Sequence, residues 1–88
     1  MDDRELRETV IAVLRRIAPE VDPDLLRPAQ PLRDQVDLDS MDWLSFLVAL
    51  HGRLGVDIPE ADYRRLVTLD DLLRYLRQRL AAPGGGAR

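Results

Sequence analysis

The 88-residue chain contains no cysteine and no lysine. Without cysteine, neither a disulfide framework nor a thiolate metal site is available, so a fold of this size must be held by side-chain packing. All thirteen basic residues are arginine, a feature for which the sequence offers no functional explanation. Long hydrophobic runs are missing too: none approaches the roughly 20 residues that cross a bilayer. The opening Met-Asp-Asp-Arg-Glu is unlike a signal peptide. A freestanding, monomeric, cytoplasmic protein with no membrane insertion is therefore expected.

Catalytic constellations are equally scarce. Ser40 and His51 would share one helix and sit about 16 Å apart along its axis, far beyond the reach of a nucleophile–base pair. Ser45 is closer to His51 but on another face, and His51 reads as a solvated surface residue. The aspartates around Ser40 do not follow an EF-hand: counted from Asp37, the glycine position holds Asp42 and the terminal glutamate position holds Val48. Gly84, Gly85 and Gly86 follow no strand and open no helix, so they are no phosphate loop. Arg74, Arg77 and Arg79 lack interleaved aromatics and read as a solvated helix face, not a nucleic-acid site. No enzyme, no metal site and no nucleic-acid partner are expected.

What the chain does have is helical periodicity. Leu6, Val10, Val13, Leu14 and Ile17 form one apolar stripe, predicting a first helix from Asp2 or Asp3, capped by Asp2 with Glu5, to about Ala18. Pro19 stops it. From Pro19 to Leu38 there are four prolines and no period. So long a connection suits a bundle with a crossover, and Leu25, Leu26, Leu32, Val36 and Leu38 give it apolar surface to pack. A second helix is predicted from Ser40 to about Leu54, with Trp43, Phe46, Leu47, Leu50 and Leu54 facing inward and Gly55 ending it. Met41, Leu44 and Val48 form a further apolar strip on that helix. Either the crossover covers it or it is a docking surface. A short irregular helix is expected over Glu60 to Leu66. Thr68 with Asp71 opens a last helix with the stripe Leu69, Leu72, Leu73, Leu76 and Leu80. The fold class is all-α: three main helices and one short one, with a long ordered loop between the first two. Residues 1–82 form the domain and residues 83–88 a flexible tail.

Charge is unevenly placed. From Asp34 to Asp62, seven acids face one base, a net −6, whereas from Tyr63 onward six arginines face two aspartates, a net +4. The middle of the chain favours basic protein partners. At its centre, Asp39 followed by Asp42 before an apolar run reads as a helix start with Asp39 at the N-cap. Ser40 then takes the first helical position with its hydroxyl not needed for capping. A phosphate ester on that oxygen would lie over unpaired N–H groups at the positive end of the helix dipole.

Leu38-Asp39-Ser40-Met41-Asp42, the apolar helix after it, then Leu54-Gly55-Val56-Asp57-Ile58-Pro59, Val67-Thr68-Leu69-Asp70-Asp71-Leu72 and Tyr75-Leu76 together resemble the acyl carrier protein family. The resemblance covers about Leu6 to Leu80. It implies that Ser40 receives 4′-phosphopantetheine from coenzyme A through a phosphopantetheinyl transferase that recognises Asp39. The thiol of that arm would hold acyl groups as thioesters for acyl-transferring or acyl-activating partner enzymes of fatty acid, polyketide or specialised acyl metabolism. It further implies partner contacts at Met41, Asp42, Leu44, Ser45 and Val48. Trp43, Phe46, Leu47, Leu50, Leu54, Ile58, Leu66 and Tyr75 match positions lining the core.

Three departures from the family pattern bear on specificity. Ser45, His51 and Gly52 stand where fatty acid carriers usually have glutamates. Asp37 replaces a frequent glycine, and Trp43 replaces a smaller residue. They point to a specialised carrier, and the bulk of Trp43 to short or unusual cargo. Two alternatives stay open on the sequence: a helical docking module without a prosthetic group, in which Ser40 is a plain cap, and an aminoacyl carrier. Asp-Ser-Met favours an acyl carrier over the Gly-x-Ser pattern of peptidyl carriers.

Overall fold

The computed structural model describes residues 2–81. The expected tail over 83–88 lies outside them. Helix α1 (Asp3–Ile17) opens on a complete capping box. The Glu5 N–H donates to Asp2 Oδ1 at 2.8 Å and the Asp2 N–H returns to Glu5 Oε1 at 3.4 Å. Leu6, Val10, Val13 and Leu14 are buried as the stripe requires, Ile17 is half-buried, and Ile11 beside the stripe is buried as well. Ala18 closes the helix by donating to the Leu14 carbonyl, and Pro19 prevents a further turn.

The crossover is ordered and carries more structure than its composition indicated. A 3-10 turn, η1 (Pro23–Leu25), is followed by a four-residue helix, α2 (Leu32–Gln35), which the prolines had hidden from a reading based on period. The side-chain amide of Gln35 holds the segment together. Its Oε1 accepts from the Arg27 N–H at 2.7 Å, while Nε2 donates to the carbonyls of Arg27 and Gln30 at 2.9 and 3.0 Å. In this way a polar side chain satisfies backbone groups that no regular element serves. The Leu32 N–H donates to Val67 O at 2.9 Å, and the Asp70 N–H donates to Pro28 O at 3.1 Å, tying the crossover to the start of the last helix. Val21, Leu32, Val36 and Leu38 enter the core and Leu26 is half-buried. Leu25 does not pack: it is 74% exposed on η1. With no period in the crossover, apolar character alone could not say which way each leucine faces.

Helix α3 (Ser40–Leu54) ends at Gly55, whose φ of +68° is the left-handed conformation that a C-terminal cap requires. His51 sits at this end. The residue is exposed, as expected, but its Nδ1 lies 2.8 Å from the Val56 carbonyl, so that nitrogen must carry the proton and donate. Beyond Pro59 comes the short irregular helix expected there, a second 3-10 stretch, η2 (Glu60–Arg65). Helix α4 (Leu69–Ala81) starts on the Thr68/Asp71 box: the Asp71 N–H donates to Thr68 Oγ1 at 2.9 Å and the Thr68 N–H to Asp71 Oδ2 at 3.1 Å. Leu69, Leu72 and Leu76 are buried and Leu73 is half-buried, but Leu80 is 41% exposed. Arg77, one turn earlier, already reaches Asp3 at the first residue of α1 (3.0 Å), so Leu80 extends past the helix it would pack on.

Helix α1 packs on both α3 and α4. Among the described residues, the chain contains no strand beyond one isolated bridge between Pro31 and Thr68. The core positions implied by the resemblance are all buried except Leu54, which is half-buried. A polar clasp joins η2 to α4. The Tyr75 hydroxyl donates to Asp62, Arg79 bonds the same carboxylate at 3.0 Å, and the Arg79 guanidinium lies 4.7 Å from the centre of the Tyr75 ring. Burial, reinforced by the Asp62 carboxylate, pushes the Tyr75 phenol up to about 12.

Candidate functional site

The head of α3 is built by Asp39. Its backbone is extended (φ −79°, ψ −178°), its Oδ1 accepts from the Asp42 N–H at 2.8 Å, and its carbonyl accepts from the Trp43 N–H at 2.9 Å. These are the two bonds of an N-cap residue. No reciprocal bond from the Asp39 N–H to the Asp42 carboxylate is present among the described residues, so the aspartate pair forms half of a capping box.

With the cap met by its neighbour, Ser40 occupies the first helical position. The residue is exposed, and its hydroxyl takes part in no side-chain hydrogen bond among the described residues. The N–H groups of Ser40 and Met41 belong to the first turn, where an α-helix has no internal acceptors. An exposed hydroxyl thus stands beside unused donors at the positive end of a 15-residue helix. A phosphate ester would find its charge stabilised there with no rearrangement of the fold.

The residues expected around it fall on one side of α3. Met41 is 71% exposed, Leu44 40% and Val48 61%. Ser45 is exposed and Asp42 half-buried. The crossover therefore does not cover this second apolar strip. Asp34, Asp37 and Asp39 are exposed near the same end, while Arg33 turns its Nε–H to the Leu38 carbonyl at 3.3 Å. Ser40 and His51 do not meet, since His51 is engaged with Val56 at the far end of the helix. Among the described residues, no cluster of His, Cys, Asp or Glu is placed to hold a metal ion, and no helix is long and apolar enough to cross a membrane.

The reading of the sequence missed three features near this site. Gln35 and Arg33 order the chain leading into Ser40, and Trp43 meets Phe46 with ring centres 5.4 Å apart and planes tilted by 48°. Nothing in the local pattern marked Gln35 or Arg33, because each acts on backbone groups five to eight residues away. The family model described as a phosphopantetheine attachment site matches residues 4–76. The chain is 29% identical over 82 residues to the acyl carrier protein of Thermosynechococcus vestitus, covering 93% of this chain and all of that one. It is 31% identical over 85 residues to the acyl carrier protein of Rhodococcus erythropolis, covering 93% and 92% of the two chains. It is also 31% identical over 75 residues to the meromycolate extension acyl carrier protein of Mycolicibacterium smegmatis, covering 82% and 76%. With an uncommitted serine at the head of its most apolar helix and a family match across most of its length, the chain belongs to the acyl carrier proteins, the phosphopantetheine-bearing carriers.

Proposed function

We propose that Ser40 is the attachment point of 4′-phosphopantetheine and that the protein carries acyl groups between partner enzymes without catalysing their chemistry. The observation that supports this most directly is the division of labour at the head of α3: Asp39 caps the helix, leaving the Ser40 oxygen exposed and unbonded. The residues present fit the group. The first-turn N–H groups and the helix dipole would face the charge of the phosphodiester. When bound, the arm supplies a thiol, a nucleophile that this cysteine-free chain lacks. The polypeptide holds the attachment oxygen on a rigid helix end and offers a recognition surface beside it.

In this reading Asp39 is recognised by the phosphopantetheinyl transferase, and Met41, Asp42, Leu44, Ser45 and Val48 contact partner enzymes. Exposed aliphatic side chains in a strip commonly mark such contacts. The strip lacks carboxylates at Ser45, His51 and Gly52, so partner binding rests on apolar contact there and on Asp34, Asp37, Asp39 and Asp42 at one end. That pattern supports a specialised acyl pathway over general fatty acid synthesis.

Intact mass spectrometry tests the assignment. After incubation with coenzyme A and a broad-specificity transferase, the wild type is expected to gain one phosphopantetheine mass and Ser40→Ala none. A wild type that stays unmodified, or a Ser40→Ala variant that still gains the mass, would overturn it.

A further inference from the structure

A pocket of about 260 Å³ lies between the crossover and η2, lined by Arg33, Trp43, Tyr63, Arg64, Leu66 and Val67 along with Pro31. Trp43 is three residues after Ser40 on α3, which puts the two side chains about 5–6 Å apart at Cβ. Trp43 thus links the pocket to the turn of α3 that carries Ser40, although Ser40 itself does not line it. Its chemistry is uneven. Its aromatic side is tightly packed: Trp43 is only 8% exposed and meets Phe46, which is fully buried. Its lining includes two arginines, Arg33 and Arg64, and no acidic residue. Among the described residues, neither Arg33 nor Arg64 lies within ion-pair distance of an acid, although the adjacent Arg65 pairs with Asp62. Arg33 is also oriented, since its Nε–H donates to the Leu38 carbonyl and keeps the guanidinium beside the segment leading to Ser40.

We propose that this pocket selects short acyl groups ending in a carboxylate, with the chain lying on Trp43 and Leu66 and the carboxylate held by Arg33 and Arg64. The inference rests on the carrier reading of Ser40. Two forces point the same way. The tight packing of Trp43 on Phe46 excludes long alkyl chains, and 260 Å³ falls below the usual range of small-molecule sites. Two arginines outside ion-pair distance of any described carboxylate favour a planar anion, which guanidinium binds in matched geometry. An uncharged short chain would satisfy the aromatic side and leave both guanidinium groups to water.

Trp43 is the sole tryptophan of the chain, so its fluorescence reports the pocket directly. The full chain is loaded by a transferase from coenzyme A thioesters, once with a glutaryl group and once with an uncharged branched acyl group of the same shape. Loading is verified by mass, so a failure of attachment at Ser40 is seen before the pocket is tested. Glutaryl loading is expected to shift Trp43 emission and the amide resonances of Trp43, Leu66 and Val67, with the uncharged group and the unloaded arm leaving them near their starting values. Added glutaryl pantetheine should compete with the tethered group. Arg64→Gln, whose side chain makes none of the described hydrogen bonds, is expected to weaken that competition by about fivefold. Arg33→Gln should weaken it by a similar factor, with helical circular dichroism unchanged. Equal shifts for the charged and uncharged groups would overturn the proposal, as would shifts already complete in the unloaded holo form, which would assign the arginines to the phosphodiester. No shift in any form would overturn it too.

Discussion

Substituting Asp39 and Ser40 separately by alanine tests whether capping and attachment reside in different side chains. In Asp39→Ala the Asp42 N–H loses the acceptor that it meets at 2.8 Å, and the carboxylate at the positive end of the dipole is gone. Loss of an N-cap costs about 1 kcal/mol, and loss of a charge at an exposed helix start about 0.3–1 kcal/mol. Together they amount to about 1.5 kcal/mol, which lowers the melting temperature of a domain this size by about 6–12 °C. In Ser40→Ala no side-chain hydrogen bond is lost, and alanine is the better helix former by up to about 0.5 kcal/mol. Its melting temperature is expected to stay within about 3 °C of wild type, or to rise slightly. Thermal unfolding followed by circular dichroism at 222 nm in parallel, with intact mass after transferase treatment, gives both readouts. Ser40→Ala should be stable and unloadable. A drop in Ser40→Ala as large as that in Asp39→Ala would refute the reasoning, because the serine would then be supporting the helix and its free hydroxyl would have no claim to another role.

Three further outcomes are expected. Trp43→Leu should cost about 2 kcal/mol, below the range for full truncation of a buried aromatic to alanine, and should let a long acyl chain move the amide resonances of Leu47, Leu50 and Leu66. Large shifts at those residues in the long-chain-loaded wild type would show that Trp43 does not close the interior. Gly55→Ala should destabilise by about 1 kcal/mol in denaturant titration, from the left-handed backbone alone, since a Cβ there meets nothing within 4 Å. A cost several-fold larger would reveal a clash that the structure does not contain. Tyr75 titrates near 10 when unfolded and near 12 in the fold. Because its folded value is raised, the stabilisation it brings is fully present below pH 10 and is lost as pH climbs through about 12. Tyr75→Phe should flatten that part of the pH–stability curve, and an unchanged slope would mean that the phenol is not the group responsible.

The three long helices were legible because each announces itself twice, by period and by cap. Asp2 with Glu5, Asp39 with Asp42 and Thr68 with Asp71 all precede an apolar stripe, and Gly55 follows one. Each of these local signals acts within four residues, the range over which a linear pattern carries information. The crossover was legible only as a packed segment. Its internal order comes from Gln35 reaching back to Arg27 and from Leu32 donating to Val67, contacts set by tertiary proximity and not by spacing. The same limit explains Leu25 and Leu80, which are apolar residues with no neighbour to cover them. At the candidate site, the position of Ser40 outside the cap followed from the identity of residue 39. The two arginines over Trp43 did not, because Arg33 and Arg64 are brought to one pocket by elements that are distant in the chain.

Helix α3 is apolar around much of its circumference, yet only one side of it stabilises the fold. Trp43, Phe46, Leu47 and Leu50 are buried, while Met41 and Val48 remain open to solvent on the opposite side. The crossover had the means to cover them and turns Val21, Leu32, Val36 and Leu38 into the core instead. An uncovered aliphatic strip invites association without adding to stability, so the stability of the fold does not account for its presence. In a carrier it has a use, because each partner must bind the protein, act on the cargo and release it. A modest apolar contact beside Ser40, the proposed attachment point, would give affinity without tight retention. The aspartates grouped at one end of the helix act over longer range and would raise the encounter rate with basic surfaces. Had the strip been lined with glutamates, the same charges would have set both the approach and the grip. Here the two tasks fall to different residues, so approach should weaken with salt while the grip persists.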